Sequence, residues 1–231
     1  MTTIKKHDFV EIEYTGRIKE DNTIFDTSEE KVAKEERVYD KSADYSPVII
    51  SVGENYMLKS LEDQMIGKEI GKEYSFEIDF ENAFGKKDAK LIQLIPTSKF
   101  KQEKIEPFPG LQLNIDGVFG IIKTVSGGRC MVDFNHPLAG KDLIYNVKIN
   151  KIVEDNKEKI KSLLKMHLKI KDAEIELKEE SSATELNKSS SQLSAEIKSK
   201  HNVPKESIAE FKKIVAKTIP NIKNIDFTVK L

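Results

Sequence analysis

A two-residue alternation of apolar and polar side chains recurs through the first 150 residues and commits the chain to half-buried sheet. Val10, Ile12 and Tyr14 alternate with Glu11, Glu13 and Thr15, the period of a strand with one face in a core. Tyr74, Phe76 and Ile78 repeat the pattern, as do Leu143, Tyr145, Val147 and Ile149. Ile24-Phe25-Asp26 is extended chain after the turn residues Glu20 to Thr23. Pro47 to Val52 is apolar and β-branched and stops at Gly53. Between these strands, Leu58, Leu61 and Met65 share one helical face, with Gly67 as the predicted C-cap. Residues 27–46 are polar and read as a loop or short surface helix. The expected class is α+β: an antiparallel sheet wrapped on a short helix.

Residues 90–134 have a rhythm of their own. Leu91 to Ile95, Leu111 to Ile115, Val118 to Val125 and Cys130 to Phe134 are four predicted strands. Gly127-Gly128 is a tight hairpin signal, and Pro107 to Gly110 is a second turn. A small β-rich unit is therefore inserted before the last long strand. Beyond Ile152 the period changes to that of a helix, with Ile160, Leu163, Leu164 and Leu168 on one face. Ala173 to Glu179 reads as a strand and residues 179–194 as a flexible loop. Pro204 opens a predicted helix carrying Ile208, Phe211 and Val215, and Ile225, Phe227 and Val229 end the chain as a strand. The tail is thus a C-terminal α+β unit.

Composition narrows the partners. Of the 231 residues 38% are hydrophobic and 33% charged, which supplies real cores and carries too much charge for a membrane protein. No apolar run approaches the ~18 residues of a membrane span, and MTTIKKHDFVEIEY has no signal-peptide core. A net charge of -1 gives a nucleic-acid partner no bulk attraction. One cysteine, Cys130, excludes an internal disulfide framework. A cytoplasmic protein with neither a nucleic-acid nor a membrane partner is expected.

The usual catalytic signatures are missing. His7, His136, His167 and His201 are scattered, and no HExxH, CxxC, GxSxG or phosphate-binding glycine loop occurs. Glu62-Asp63 and Glu29-Glu30 read as solvated helix or loop faces. The chemistry expected of such a chain needs no strong acid or base, no metal and no cofactor.

Five segments in order resemble the FKBP-type prolyl isomerases. VEIEYTG at residues 10–16 is similar to the family's first core strand, and Phe25-Asp26 to its Phe-Asp pair. VIISVGENYMLKSL at 48–61 matches the strand, glycine and central helix beneath its pocket. Ala83-Phe84-Gly85 corresponds to the Ala-Tyr-Gly turn, and LIYNV at 143–147 to the closing strand. Phe134 to Gly140, FNHPLAG, resembles the segment at which SlyD-like members return from a chaperone insert in the flap. The additional C-terminal unit resembles the long archaeal type. The resemblance implies an FKBP domain over residues 1–86 and 137–152, an insert over 87–136, and a C-terminal domain over 153–231.

Carried over residue by residue, it implies a pocket of Tyr14, Phe25, Asp26, Val48, Met57, Leu58, Leu61, Phe84 and Tyr145. Leu61 stands where many members have tryptophan, and Phe84 where the family usually has a tyrosine whose hydroxyl binds the substrate carbonyl. Asp26 either orients Tyr14 or polarises the substrate. On strands and helix faces the same residue types also serve as core.

The insert is rich in apolar groups for its size. Leu91, Ile92, Leu94, Ile95, Phe100, Phe108, Leu111 and Phe119 are its predicted client-binding residues, facing extended segments of unfolded protein with X-Pro bonds. The alternative is a small sheet that covers itself. For the whole chain, the alternative to a catalyst is a non-catalytic holdase or adaptor on the same scaffold. The C-terminal unit is expected to support a homodimer, with a third client surface or a ribosome-docking module as rivals.

Overall fold

The computed structural model describes residues 2–115, 117–179 and 192–229. In chain order these form β1 (Phe9–Ile18), β2 (Ile24–Thr27), α1 (Glu30–Glu35), β3 (Val48–Ser51), α2 (Lys59–Met65) and β4 (Glu73–Ile78). Then come β5 (Ile92–Pro96), α3 (Thr97–Gln102), β6 (Gln112–Ile115), β7 (Val118–Ser126), β8 (Arg129–Asp133) and β9 (Leu143–Ile152). The chain ends with α4 (Asn156–Leu163), β10 (Glu174–Glu179), β11 (Leu193–Ser199), α5 (Lys205–Thr218) and β12 (Ile222–Val229). The class is α+β, as the periodicities predict. Two compact units divide the chain: Met1–Gly16, Asp26–Phe76 and Tyr145–Leu231 make one, Arg17–Phe25 and Glu77–Ile144 the other.

The central sheet runs β2-β1-β9-β4, and β3 pairs with β1. In the first unit β1 and β3 are antiparallel, with Val10 opposite Ile50 and Ile12 opposite Val48. Val10, Ile12, Val147 and Ile149 are fully buried, so the alternation predicted for these strands sets their inward face. Leu61 and Met65, one helical turn apart on α2, are fully buried as well. The helix ends one residue earlier than Gly67 would cap it: Ile66 is extended, and Gly67 follows at φ +82°.

The C-terminal residues build a layer of the same unit. Asp155 caps α4 by accepting from Glu158 N–H at 2.9 Å. The helix continues into a wider π-helical turn, Leu164–Leu168, which Lys169 ends at φ +58°. Ile160, Leu163 and Leu164 pack with Phe211 and Val215 of α5 and with Ala195 and Ile197 of β11. This core also takes in Phe9 of β1, and Ile49 and Tyr56 pack against it. The region therefore shares a core with the first strand.

β10 and β11 are antiparallel, while β11 and β12 are parallel. β11 corrects the expected loop over 179–194. Residues 180–191 lie outside the described residues, but Leu193 and Ser194 already belong to the strand. Leu193, Ala195 and Ile197 alternate with Ser194, Glu196 and Lys198; serine-rich sequence just before them masks the period. Pro204 is the residue before α5, one position outside the first helical site expected for it.

In the second unit β5-β8-β7-β6 form an antiparallel sheet. Its core is Phe100, Ile122, Cys130 and Val132, flanked by Ile95, Leu113, Ile115 and Phe134. Phe100 comes from α3, a six-residue helix the sequence pattern did not reveal because it carries one buried apolar residue. Gly120 has a packing reason: a Cβ there would fall 2.8 Å from the Phe134 ring and 2.9 Å from Val132. Gly127 and Gly128 both have positive φ and close the predicted hairpin.

Candidate active site

Five residues expected in the pocket sit on strands. Tyr14 is on β1, Phe25 and Asp26 on β2, Val48 on β3 and Tyr145 on β9. The Tyr14 hydroxyl donates to Asp26 Oδ2 at 2.9 Å. The Tyr145 ring lies 6.3 Å from the Tyr14 ring at 44°, a tilted aromatic contact. Burial, reinforced by the Asp26 charge, raises the pKa of both phenols, so both stay protonated at neutral pH. Tyr14 is a donor fixed on an exposed carboxylate, and Tyr145 is 5% exposed.

The backbone beneath Tyr14 is held by hydroxyls. Ser28 Oγ accepts from Tyr14 N–H at 2.8 Å, and Thr15 and Thr27 hydroxyls meet at 2.9 Å inside the protein. Ser28 N–H donates to Tyr14 C=O at 2.9 Å. Tyr14 and Asp26 are therefore supported on a rigid strand pair.

Met57 and Leu58 end the loop that leads from β3 to α2, and Leu61 lies inside the helix. The loop is pinned by a residue that the sequence reading placed wrongly. Glu62 was expected on a solvated face; it is fully buried. Its Oε2 accepts from Gly53 N–H at 2.7 Å and Asn55 N–H at 3.1 Å, and its Oε1 from Met57 N–H at 2.7 Å. Three amides that the turn leaves unpaired thus share one carboxylate in the first turn of α2, where the helix dipole also favours negative charge. The neighbour Asp63 does face solvent and pairs with Lys59. A glycine-led loop followed by an acid in the first helical turn was the available signal.

Phe25 and Phe84 belong to the second unit. Phe84 follows the 3-10 turn Phe80–Asn82, where Gly85 N–H donates back to Phe80 C=O at 2.7 Å. Its ring stacks on His136. The sequence alone gives His136, one of the scattered histidines and part of FNHPLAG, no role. Its Nδ1 accepts from Leu138 N–H at 3.2 Å, which sets the ring's orientation.

The root of the insert is a polar knot in the same unit. Asp133 Oδ1 accepts from both nitrogens of Asn135, at 3.0 Å for the backbone and 2.8 Å for the side chain. Asn135 Oδ1 accepts from Asp88 N–H at 2.8 Å. Lys87 reaches Asp133 Oδ2 at 2.8 Å. Burial works against the Asp133 charge, yet the hydrogen bonds from Lys87 and Asn135 outweigh it and hold the carboxyl down at about 2.

Eight of the twelve exposed large apolar side chains among the described residues lie in the insert, so its sheet does not cover itself. Leu91, Ile92, Leu94, Phe108 and Phe119 are exposed, Leu94 at 59%. Ile95 and Leu111 are half-buried, while Phe100 is buried in the insert's own core. Ile105 and Val118 are exposed too. The pairing puts Ile92, Leu94, Met131, Ile121 and Phe119 on one face of the sheet. A groove of about 800 Å³ is lined by Leu94, Ile95, Phe100, Ile105, Leu113 and Phe134 among others.

Comparison with known proteins agrees with this architecture. Residues 1–107 match the family of FKBP-type peptidyl-prolyl cis-trans isomerases, and residues 93–138 match the FKBP26 IF domain. The chain is 35% identical over 149 residues to the short-type peptidyl-prolyl cis-trans isomerase of Methanocaldococcus jannaschii, covering 94% of that protein and 64% of this chain. It is 30% identical over 128 residues to the FKBP-type isomerase SlyD of Helicobacter pylori, covering 68% of that protein and 53% of this chain. The Escherichia coli FKBP-type 16 kDa isomerase is 30% identical over 111 residues, with 74% of it and 46% of this chain covered. With nearly the whole of the archaeal relative matched, and the sheet, helix and insert in the family's order, the chain belongs to the FKBP-type peptidyl-prolyl cis-trans isomerases.

Proposed function

We propose that this isomerase works as a folding enzyme: it holds extended, apolar segments of unfolded protein on its insert and rotates their X-Pro bonds at the Tyr14–Asp26 site. The observation that carries the reading is the Tyr14–Asp26 hydrogen bond beside Tyr145, on positions the family uses for its pocket. Val48, Met57, Leu58 and Leu61, which lie in the same unit, and Phe25 and Phe84 are assigned to the pocket's apolar wall by resemblance.

No bond is made or broken in this reaction. The barrier of ~18–20 kcal/mol is the loss of amide resonance. A twisted amide has less dipole than a planar one, so an apolar pocket penalises the planar ground state more. In this reading Asp26 orients Tyr14 by accepting the hydrogen bond of its hydroxyl, and the aromatic faces of Tyr14 and Tyr145 receive the proline ring. Rotation is further eased when the substrate's own following N–H turns toward the proline nitrogen.

The insert's open face, Ile92, Leu94, Phe119, Ile121 and Met131, offers apolar surface where a chain already bearing its client gains local concentration. For a short flexible connection that concentration is on the order of mM. The test is a pair of charge substitutions, Leu94→Lys with Phe119→Lys. Refolding catalysis of a proline-limited protein should fall about tenfold while isomerisation of a short peptide is unchanged. Unchanged refolding catalysis sinks the holding role.

Residues 153–231 are further proposed to support a homodimer through the edge strand β12, where Val229 is exposed. The sheet's open face is a poor alternative, because Lys178, Glu196, Lys198 and Glu176 pair across it and would lose water on burial. Light scattering over a dilution series decides it: a constant monomer mass rejects the dimer.

A further inference from the structure

The C-terminal region grips the chain on both sides of β3. Upstream, Asp44 takes Lys165 at 2.9 Å and Lys171 at 2.8 Å, and Ser46 Oγ accepts from Lys165 at 3.3 Å. These contacts hold the Asp44 carboxyl well below the usual carboxylate range. Downstream, Lys217 pairs with Glu54, whose side chain is only 9% exposed. Tyr56 packs into the C-terminal core, and its hydroxyl meets His167 Nε2 at 3.1 Å with the rings edge-on at 66°. Burial and the charges of Glu54 and Glu62 push the Tyr56 phenol up to about 12, so it remains a neutral partner.

All these contacts bear on one segment, residues 44–58. It carries Val48, Met57 and Leu58, and Glu62 fixes its amides from the other side. The gripping residues Lys165, His167 and Lys171 sit in or just after the π-helical turn, a local widening of helix that costs regular hydrogen bonding.

We propose that the C-terminal region is a positioning clamp for the proline-binding segment, with His167 acting through Tyr56 on Met57 and Leu58. The proposal rests on the assignment of Val48, Met57 and Leu58 to the pocket. A loop that samples other conformations binds in proportion to its competent fraction, so loosening it raises KM and spares kcat.

The test uses the full chain with His167→Ala, Tyr56→Phe and the double variant, each followed by peptide isomerisation and thermal unfolding. Asp26→Ala serves as the control for the pocket itself. The clamp predicts a three- to fivefold higher KM in each single variant and kcat within twofold of the wild type. The double variant should lose no more than either single one, because both remove the same contact. Tyr56→Phe keeps the ring in its core, so its effect is separable from misfolding. Three results overturn the clamp: unchanged KM, a fall in kcat alone that tracks the melting temperature, or additive losses. If His167→Ala is silent while Asp26→Ala is impaired, the clamp fails and the pocket stands. If neither matters, both fail.

Discussion

The ring of Phe84 lies flat on the imidazole of His136, with centroids 4.2 Å apart and planes 5° from parallel. Resemblance to the family places a tyrosine at this turn, with a hydroxyl that meets the substrate carbonyl. Phenylalanine keeps the ring and its stack and omits that hydroxyl. Restoring it with Phe84→Tyr should raise kcat/KM on a short proline peptide about fivefold, the worth of one hydrogen bond of ~1 kcal/mol. An unchanged kcat/KM, with the fold intact, would show that this turn does not face the substrate.

Glu62 makes the strongest stability prediction. Its carboxylate is fully buried and satisfies three backbone amides. Glu62→Ala leaves those donors unpaired inside the protein and should cost about 3–5 kcal/mol in urea unfolding. Glu62→Gln keeps the shape and one acceptor oxygen, and should cost roughly half as much. Equal and small losses for both would mean that the loop takes its amide partners from solvent.

The strands were legible because alternation is local. Val10, Ile12, Val147 and Ile149 each turn inward as their neighbours' polarity demands. The short helix was legible from Leu61 and Met65. Glu62 was not, since a buried acid reads like an exposed one until the amides facing it are known. The same holds for His136 and His167, whose partners Phe84 and Tyr56 are 52 and 111 residues away in sequence. α3 escaped because six residues with one buried phenylalanine carry no period. Tyr14 and Asp26 were named by family pattern, and their hydrogen bond was not deducible from spacing.

Asp133 should make the insert sensitive to acid. Its carboxyl falls from an ordinary 3.8 to about 2 on folding, so the native state binds the proton less readily than the unfolded chain. Stability from this group is complete above about pH 4 and drains away as pH falls through 2. The loss is on the order of 2 kcal/mol, since Asp133 is 6% exposed. Urea midpoints at pH 5 and pH 2.5 should therefore differ more in the wild type than in Asp133→Asn. Parallel shifts in the two proteins would place the acid sensitivity elsewhere.

The Tyr14–Asp26 pair is proposed as a working prolyl-isomerase site. The most direct measurement is cis/trans exchange of a short Ala-Pro peptide followed by NMR, with the wild type and with Asp26→Ala. Uncatalysed exchange takes tens to hundreds of seconds, so catalysis is read without ambiguity. Clear acceleration by the wild type is expected, with a fall of about tenfold in Asp26→Ala and the melting temperature nearly unchanged because Asp26 is exposed. Equal acceleration by both proteins would move the site away from this pair. No acceleration by either, with unfolded protein still bound, would make the chain a holding scaffold and contradict the account.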